Sequence, residues 1–204
     1  TQFLRSLGRE VVAPVRTFKT NPKRFFYPTE WMNFLNVINR DTHKFWFEFM
    51  LHTGMRIEEA RSVKFGDIDF TREIITVTKP KGGRGHERTI KISHYLANKI
   101  KQYAKGHLHK MSDTFGIPST PFMNAYIKRY AEKAGIKDYH DFSCHTTRKT
   151  LEMWLLGVGV DGMVLSMHQG HTIDISLKHY VSTVLFNGND KVLIRTILGN
   201  LYEN

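Results

Sequence analysis

Cysteine is almost absent from this 204-residue chain: Cys144 stands alone, which rules out an internal disulfide and a disulfide-built secreted scaffold, and fits a reducing compartment. No apolar run reaches the roughly 20 residues that span a bilayer, and no basic amphipathic stretch reads as a membrane-surface helix. The phosphate-cradling pattern G-x-x-x-x-G-K-[ST] occurs nowhere, so the Gly-rich KGGRG segment is no nucleotide loop. Internal repeats and low-complexity segments are missing too. Acidic residues are scarce, 19 against 30 Lys and Arg, for a net charge of +11 with His neutral. Such a balance favours a polyanionic partner, nucleic acid first. The chain opens on Thr1 and shows no signal peptide, so it reads as a piece of a longer protein.

Apolar residues supply 41% of the sequence, enough to bury a core and to exclude a disordered chain. Residues 1–27 carry Arg5, Arg9, Arg16, Lys19, Lys23 and Arg24, with Pro14 and Pro22 as breakers, the pattern of a basic linker or the end of a preceding segment. A folded domain is expected over 28–204. Thr29 is a plausible N-cap for a helix to about residue 39, with Trp31, Phe34, Leu35 and Ile38 on one face. A second helix, about 42–52, has Phe45, Trp46, Phe49 and Met50 and is apolar enough to be central; Gly54 closes it. IITVT and RTIKI alternate and are joined by a long basic tip, so they read as a β-hairpin. Helices are expected over about 94–105, ending at Gly106, and from Thr120 to Ala134, with Pro121 well placed in its first turn. The second of these carries Lys128, Arg129 and Lys133 on a basic face, either merely solvated or tracking a DNA backbone. A final helix has an apolar stripe of Leu193, Ile194, Ile197, Leu198 and Leu201.

Residues 145–180 concentrate the chemistry. His145 and Arg148 are three apart and share a helical face; His171 follows a Gly, and Tyr180 lies nine residues further on. A guanidinium and two imidazoles near a phenol can grip a phosphate and present it to a nucleophile. Other readings remain open. A lone Tyr on an apolar helix is usually a packing residue. His168 and His171, at i and i+3, could be metal ligands if a third donor stood near, and Asp67 with Asp69 could form a metal pair.

HTTR resembles the His-x-x-Arg box of tyrosine recombinases, the phage integrases and their relatives. QGHT resembles their Leu-Gly-His box, and KHYV the segment bearing the tyrosine nucleophile, at the family's intervals. HTGMRIEEA is similar to the first arginine box, and KGGRGHER to the family's Lys-Gly-x-Lys-x-Arg hairpin. The likeness covers about residues 28–184, with Met55, Ala60, Thr147 and Gln169 each standing where Leu is usual.

The resemblance implies an α+β fold, mainly α-helical with a small antiparallel β-sheet. It implies a catalytic set of Arg56, Lys81, His145, Arg148, His171 and Tyr180, with Lys79 the rival of Lys81 and Glu59 the carboxylate supporting Arg56. Lys79, Arg84, Arg88, Lys128 and Arg129 are expected to bind DNA. The implied activity is cleavage and rejoining of double-stranded DNA through a 3′-phosphotyrosyl intermediate, with no metal and no cofactor, by a homo-oligomer (a tetramer) on DNA, the isolated domain admitting a monomer. A type IB topoisomerase uses the same chemistry to relax supercoils, and a non-catalytic DNA-binding module could keep the fold. The expected setting is the cytoplasm or nucleoid of a host cell, with a virus or mobile element as a candidate source. The segment after the nucleophile packs either on its own domain or on a neighbouring subunit.

Overall fold

The computed structural model describes residues 24–78, 87–170 and 185–202. In chain order it forms helices α1 (Pro28–Asn36), α2 (Asp41–Thr53) and α3 (Ile57–Ser62), strands β1 (Ile68–Asp69), β2 (Ile74–Val77) and β3 (Arg88–Lys91), then α4 (His94–His107), α5 (Thr120–Lys133), α6 (Cys144–Gly157), α7 (Gly162–Gln169) and α8 (Gly188–Leu198). The strands make one antiparallel sheet in the order β1-β2-β3, so the architecture is the mainly helical α+β class expected. No helix among the described residues is long and apolar enough to cross a membrane.

Helix α2 is the centre of the body. Nine of its 13 residues are buried, which marks a helix covered on nearly all sides. It lies between α6 and α4, with Phe47, Phe49, Met50 and Leu51 fully enclosed. Alternation sets the sheet: Ile75 pairs with Ile90 and Ile68 with Ile75, and all three are buried on one face. The short β1 adds a strand to the expected hairpin. Its turn into β2 is closed by Asp69, whose carboxylate accepts the N–H groups of Thr71 and Arg72 at 2.9 Å, while Asp67 accepts that of Lys64 at 2.8 Å. Both carboxylates thus cap backbone, and the suggested Asp67–Asp69 metal pair is not what they form.

Several helix ends differ from expectation. The first helix begins at Pro28, with Tyr27 as N-cap and its N–H held by Glu30 at 2.9 Å. It stops at Asn36 because the chain turns there to send Ile38 into the core. Helix α4 runs through Gly106 to His107, whose ring stacks on Tyr103 and bonds the Tyr103 carbonyl. The folded body also extends upstream of residue 28: Phe26 is fully buried, its N–H donates to Thr150 Oγ1, and its carbonyl accepts from Trp154 Nε1.

Helix α8 packs against α1 and α6 of its own chain, burying Ile194 and Leu198. Phe186, just before it, lies so close to Gly157 that a Cβ there would come within 2.4 Å of the ring. A glycine is needed where α6 passes beneath that aromatic side chain.

Two buried histidines are held neutral. Burial, with Lys99 nearby, pulls His52 down to about 3; burial likewise lowers His168 to about 4. The unfolded chain then binds protons at both sites between pH 6.5 and those values while the native state does not. Their contribution is fully present above pH 6.5 and is lost as pH falls, each at up to about 1.4 kcal/mol per pH unit. Urea unfolding from pH 8 to pH 4 should show stability flat down to about 6.5 and then declining. His52→Gln should make that decline shallower; an unchanged slope in this variant would show that His52 does not set it.

Candidate active site

Three elements end at one place. Helix α2 terminates at Gly54 in the left-handed conformation, α3 begins at Arg56, and α7 terminates at Gly170, also left-handed. Helix α6 crosses behind them, in contact with both α2 and α7. From it Arg148 reaches into the junction, donating from Nη1 to the Gly54 carbonyl and from Nη2 to the Gln169 carbonyl, each at 2.7 Å. Both acceptors sit at helix C-termini, where carbonyl dipoles favour a cation. Burial, with the charges of Arg56 and Arg88 close by, brings the Arg148 guanidinium down to about 10, so it stays charged at neutral pH.

Arg56 is the N-cap of α3, in extended conformation. Glu59, one turn on, accepts its backbone N–H at 2.8 Å and its Nη1 at 3.2 Å. The Glu59 side chain is wholly buried, whereas that of Arg56 keeps 30% exposure. Burial alone would raise the Glu59 carboxyl; hydrogen bonds from Arg88 and the Arg56 N–H, with both guanidinium charges, outweigh it and hold the group below its ordinary value. The expected support of Arg56 by Glu59 is therefore a direct contact.

Arg88, one of the residues expected to bind DNA, closes its fork on Glu59, Nη1 to Oε1 at 3.0 Å and Nη2 to Oε2 at 2.8 Å. Its side chain is 12% exposed. Three guanidiniums, from Arg56, Arg88 and Arg148, thus gather around one carboxylate. Glu152, which also attracts Arg148, is matched by Lys149 at 3.8 Å. The cluster keeps a surplus of two positive charges, and Arg56 and Arg148 are the members whose charge Glu59 leaves least compensated. Such an arrangement suits an anion with two oxygens to share, as a phosphodiester has.

His145 lies exposed in the first turn of α6, three residues before Arg148. Lys128 and Arg129 stand exposed on α5, outside the groups around Glu59. The hydroxyl of Thr120 at the start of α5 bonds Glu58, and Lys128 is eight residues along, about 12 Å at the helical rise. Lys79, Lys81, Arg84, His171 and Tyr180 lie outside the described residues.

His168 is not available as a metal ligand. Its Nε2 donates to the Thr53 carbonyl at 3.0 Å, so in the neutral ring Nδ1 accepts the hydroxyl proton of Tyr202 at 2.5 Å. Both nitrogens are occupied, and no group of three or more metal-ligating side chains occurs among the described residues. Burial pushes Tyr202 up to about 12, which makes this phenol a poor nucleophile and a good strut. Gln169, placed where Leu is usual, is fully buried, and its side-chain amide donates to the Arg148 carbonyl at 3.2 Å. Arg148 and Gln169 therefore hold one another in both directions. A buried polar residue at an apolar position was the signal for this role.

Comparison with known proteins gives the family and the fold. The model of the phage integrase family matches residues 24–184. A tyrosine recombinase XerA of Pyrococcus furiosus is 27% identical over 159 residues, covering 73% of this chain and 53% of the relative. The XerA of Saccharolobus solfataricus is 25% identical over 184 residues, covering 90% and 60%. The chain thus spans little more than half the length of these relatives. Among solved structures, a XerA recombinase superposes with a TM-score of 0.64 at 19% identity, covering 95% of this chain and 70% of that one. The Tn1549 transposon integrase in complex with transposon right end DNA gives 0.65 at 19% identity, covering 85% and 65%. With its family model spanning most of the sequence and its helices in the recombinase arrangement, the chain belongs to the phage integrase family of tyrosine recombinases.

Proposed function

We propose that this chain is the strand-cleaving part of a site-specific DNA recombinase or integrase, which breaks and rejoins double-stranded DNA through a 3′-phosphotyrosyl intermediate. The observation that carries the reading is the surplus of positive charge around Glu59, with Arg148 held by two helix ends and Arg56 partly exposed beside it. The DNA present with the Tn1549 integrase supports the same partner for this chain, and the source of that neighbour fits a mobile element.

In this reading Tyr180 attacks the scissile phosphate and becomes bonded to it at the 3′ end, releasing a 5′-hydroxyl. Phosphodiester energy is conserved in the new bond, so the reverse attack joins strands without a nucleotide cofactor. A free phenol has a pKa of about 10 and is mostly protonated at neutral pH; His145 assists removal of its proton. Arg56 and Arg148 stabilise charge on the two non-bridging oxygens, and His171 hydrogen-bonds the same phosphate. Lys81 gives a proton to the departing 5′-oxygen. Loss of either arginine should cost on the order of 100-fold in rate. Exchange of strands needs two duplexes, which a homotetramer on DNA supplies.

The direct test uses a nicked duplex carrying a site selected by the protein from a random pool. Wild type should form a covalent protein–DNA adduct, and Tyr180→Phe should bind equally well and form none. An adduct in that variant would move the nucleophile to another tyrosine. The hydrogen-bonded, high-pKa Tyr202 is poorly suited to replace it. Strand exchange between two duplexes, rather than relaxation of a supercoiled circle, separates a recombinase from a topoisomerase.

A second test addresses the proton donor. With sulfur at the bridging 5′ position the leaving group is a weakly basic thiolate that needs no proton. Lys81→Ala should cleave ordinary DNA slowly and the sulfur substrate at nearly the wild-type rate, whereas Arg148→Ala should be slow on both. Rescue of Lys79→Ala instead would move the role to Lys79, and rescue of neither would remove the hairpin from proton transfer.

A further inference from the structure

We infer that Arg88 is a positioning residue of the cleavage site rather than a contact to DNA: it takes up most of the Glu59 charge, so that Arg56, held to Glu59 by one side-chain bond only, keeps the rest of its guanidinium for the scissile phosphate. This rests on the recombinase reading above. Arg88 opens β3, opposite Val77 of β2, and its guanidinium faces inward. All three sides of its fork are engaged, with two bonds to Glu59 and one from Nε to the His168 carbonyl at 3.4 Å. The side chain passes against Gly170, where a Cβ would meet its Cδ and Nε at 2.9 Å. The absence of a side chain at that helix end is what lets Arg88 reach the carboxylate. One residue thereby joins the sheet, the start of α3 and the end of α7.

The charge argument gives Arg88 more than a structural part. Glu59 has two cationic neighbours within 3.2 Å, and Arg88 takes it with the better geometry, a two-pronged fork against the single bond from the Arg56 side chain. Were Arg88 neutral, a fully enclosed carboxylate would have Arg56 as its nearest compensation and would draw that guanidinium into a full ion pair. The phosphate would then compete with Glu59 for Arg56. To contact DNA itself, Arg88 would have to abandon Glu59 and strand a buried charge.

The experiment measures single-turnover adduct formation at saturating DNA, together with DNA affinity as a function of salt, on the same nicked duplex. Arg88→Met should slow adduct formation about tenfold or more, as expected for a misplaced catalytic group. Affinity should stay within about twofold and its salt slope should not change, because no phosphate contact is lost. Adding Glu59→Gln to Arg88→Met should recover part of the lost rate by releasing Arg56; a purely structural ion pair predicts no recovery. A salt slope smaller by about 0.9 with weakened binding would overturn the inference by making Arg88 a phosphate contact, and so would a wild-type cleavage rate. If thermal melting shows Arg88→Met unfolded, the double variant Arg88→Met with Glu59→Gln, which leaves no buried charge unpaired, carries the decision. Affinity and salt slope equal to wild type support positioning, and a slope smaller by about 0.9 with weakened binding overturns it. Failure of wild type to form any adduct removes the recombinase reading itself. An adduct in wild type with unimpaired Arg88 variants removes this inference alone.

Discussion

A carboxylate with no exposed surface, Glu59, is the constraint around which the site is arranged. An ion so enclosed must be compensated where it stands, because its solvation by water has been given up. Arg88 from the sheet and Arg56 from its own helix do this, and each is fixed in turn by the geometry of that compensation. Replacing a buried ion pair by well-packed apolar residues is often neutral for stability, whereas deleting one partner costs about 3–5 kcal/mol. Stability alone therefore gives little reason for charge here. A cluster that retains a net positive surplus after Glu59 is satisfied has its best reason in an anionic ligand.

The neighbouring shell is built from backbone rather than charge. Helices α2 and α7 end in glycines with φ near +60°, and the carbonyls released at those ends receive Arg148 and, through Thr53, His168. Orphan carbonyls at helix ends need partners in any case. Here they are satisfied by a guanidinium and a neutral imidazole whose positions are thereby set. His168 then holds Tyr202, which ties the segment after α8 back to the same junction. The C-terminal stripe and the site are coupled through a short chain of hydrogen bonds, and this is why Tyr202 reads as a strut.

How much of this was legible in the sequence depends on the kind of signal. Periodicity marked α2 as central and the Ile-rich runs as paired strands, because burial of one face leaves its mark on residue order. Gly54 was legible as a helix stop for the same local reason, whereas Gly106 misled, since a glycine in open space does not end a helix that continues to bond. The contact of Glu59 with Arg56 is three residues long and could be anticipated. The pairing of Glu59 with Arg88 spans 29 positions, and an arginine has the same letter whether it faces a phosphate or a buried carboxylate. Its burial is decided by the register of β3 and by the missing side chain at Gly170, neither of which a local window contains.

His168 illustrates the same limit from the other direction. Its spacing from His171 suggested a metal, since imidazoles at i and i+3 share a face. What removes that option is the environment of each nitrogen: one is spent on the Thr53 carbonyl at the end of α2 and the other on the Tyr202 hydroxyl 34 positions away. A ligand must offer a lone pair, and this ring has none to offer. Gln169 is the complementary case, because an amide at a usually apolar position carried a local sign that something polar lay opposite. Its bond to the Arg148 carbonyl answers the bond from the Arg148 guanidinium to its own carbonyl. The pair clamps α6 to α7 at the level of the arginine proposed to hold the phosphate, so a departure from the family pattern here strengthens the positioning of Arg148 rather than weakening it.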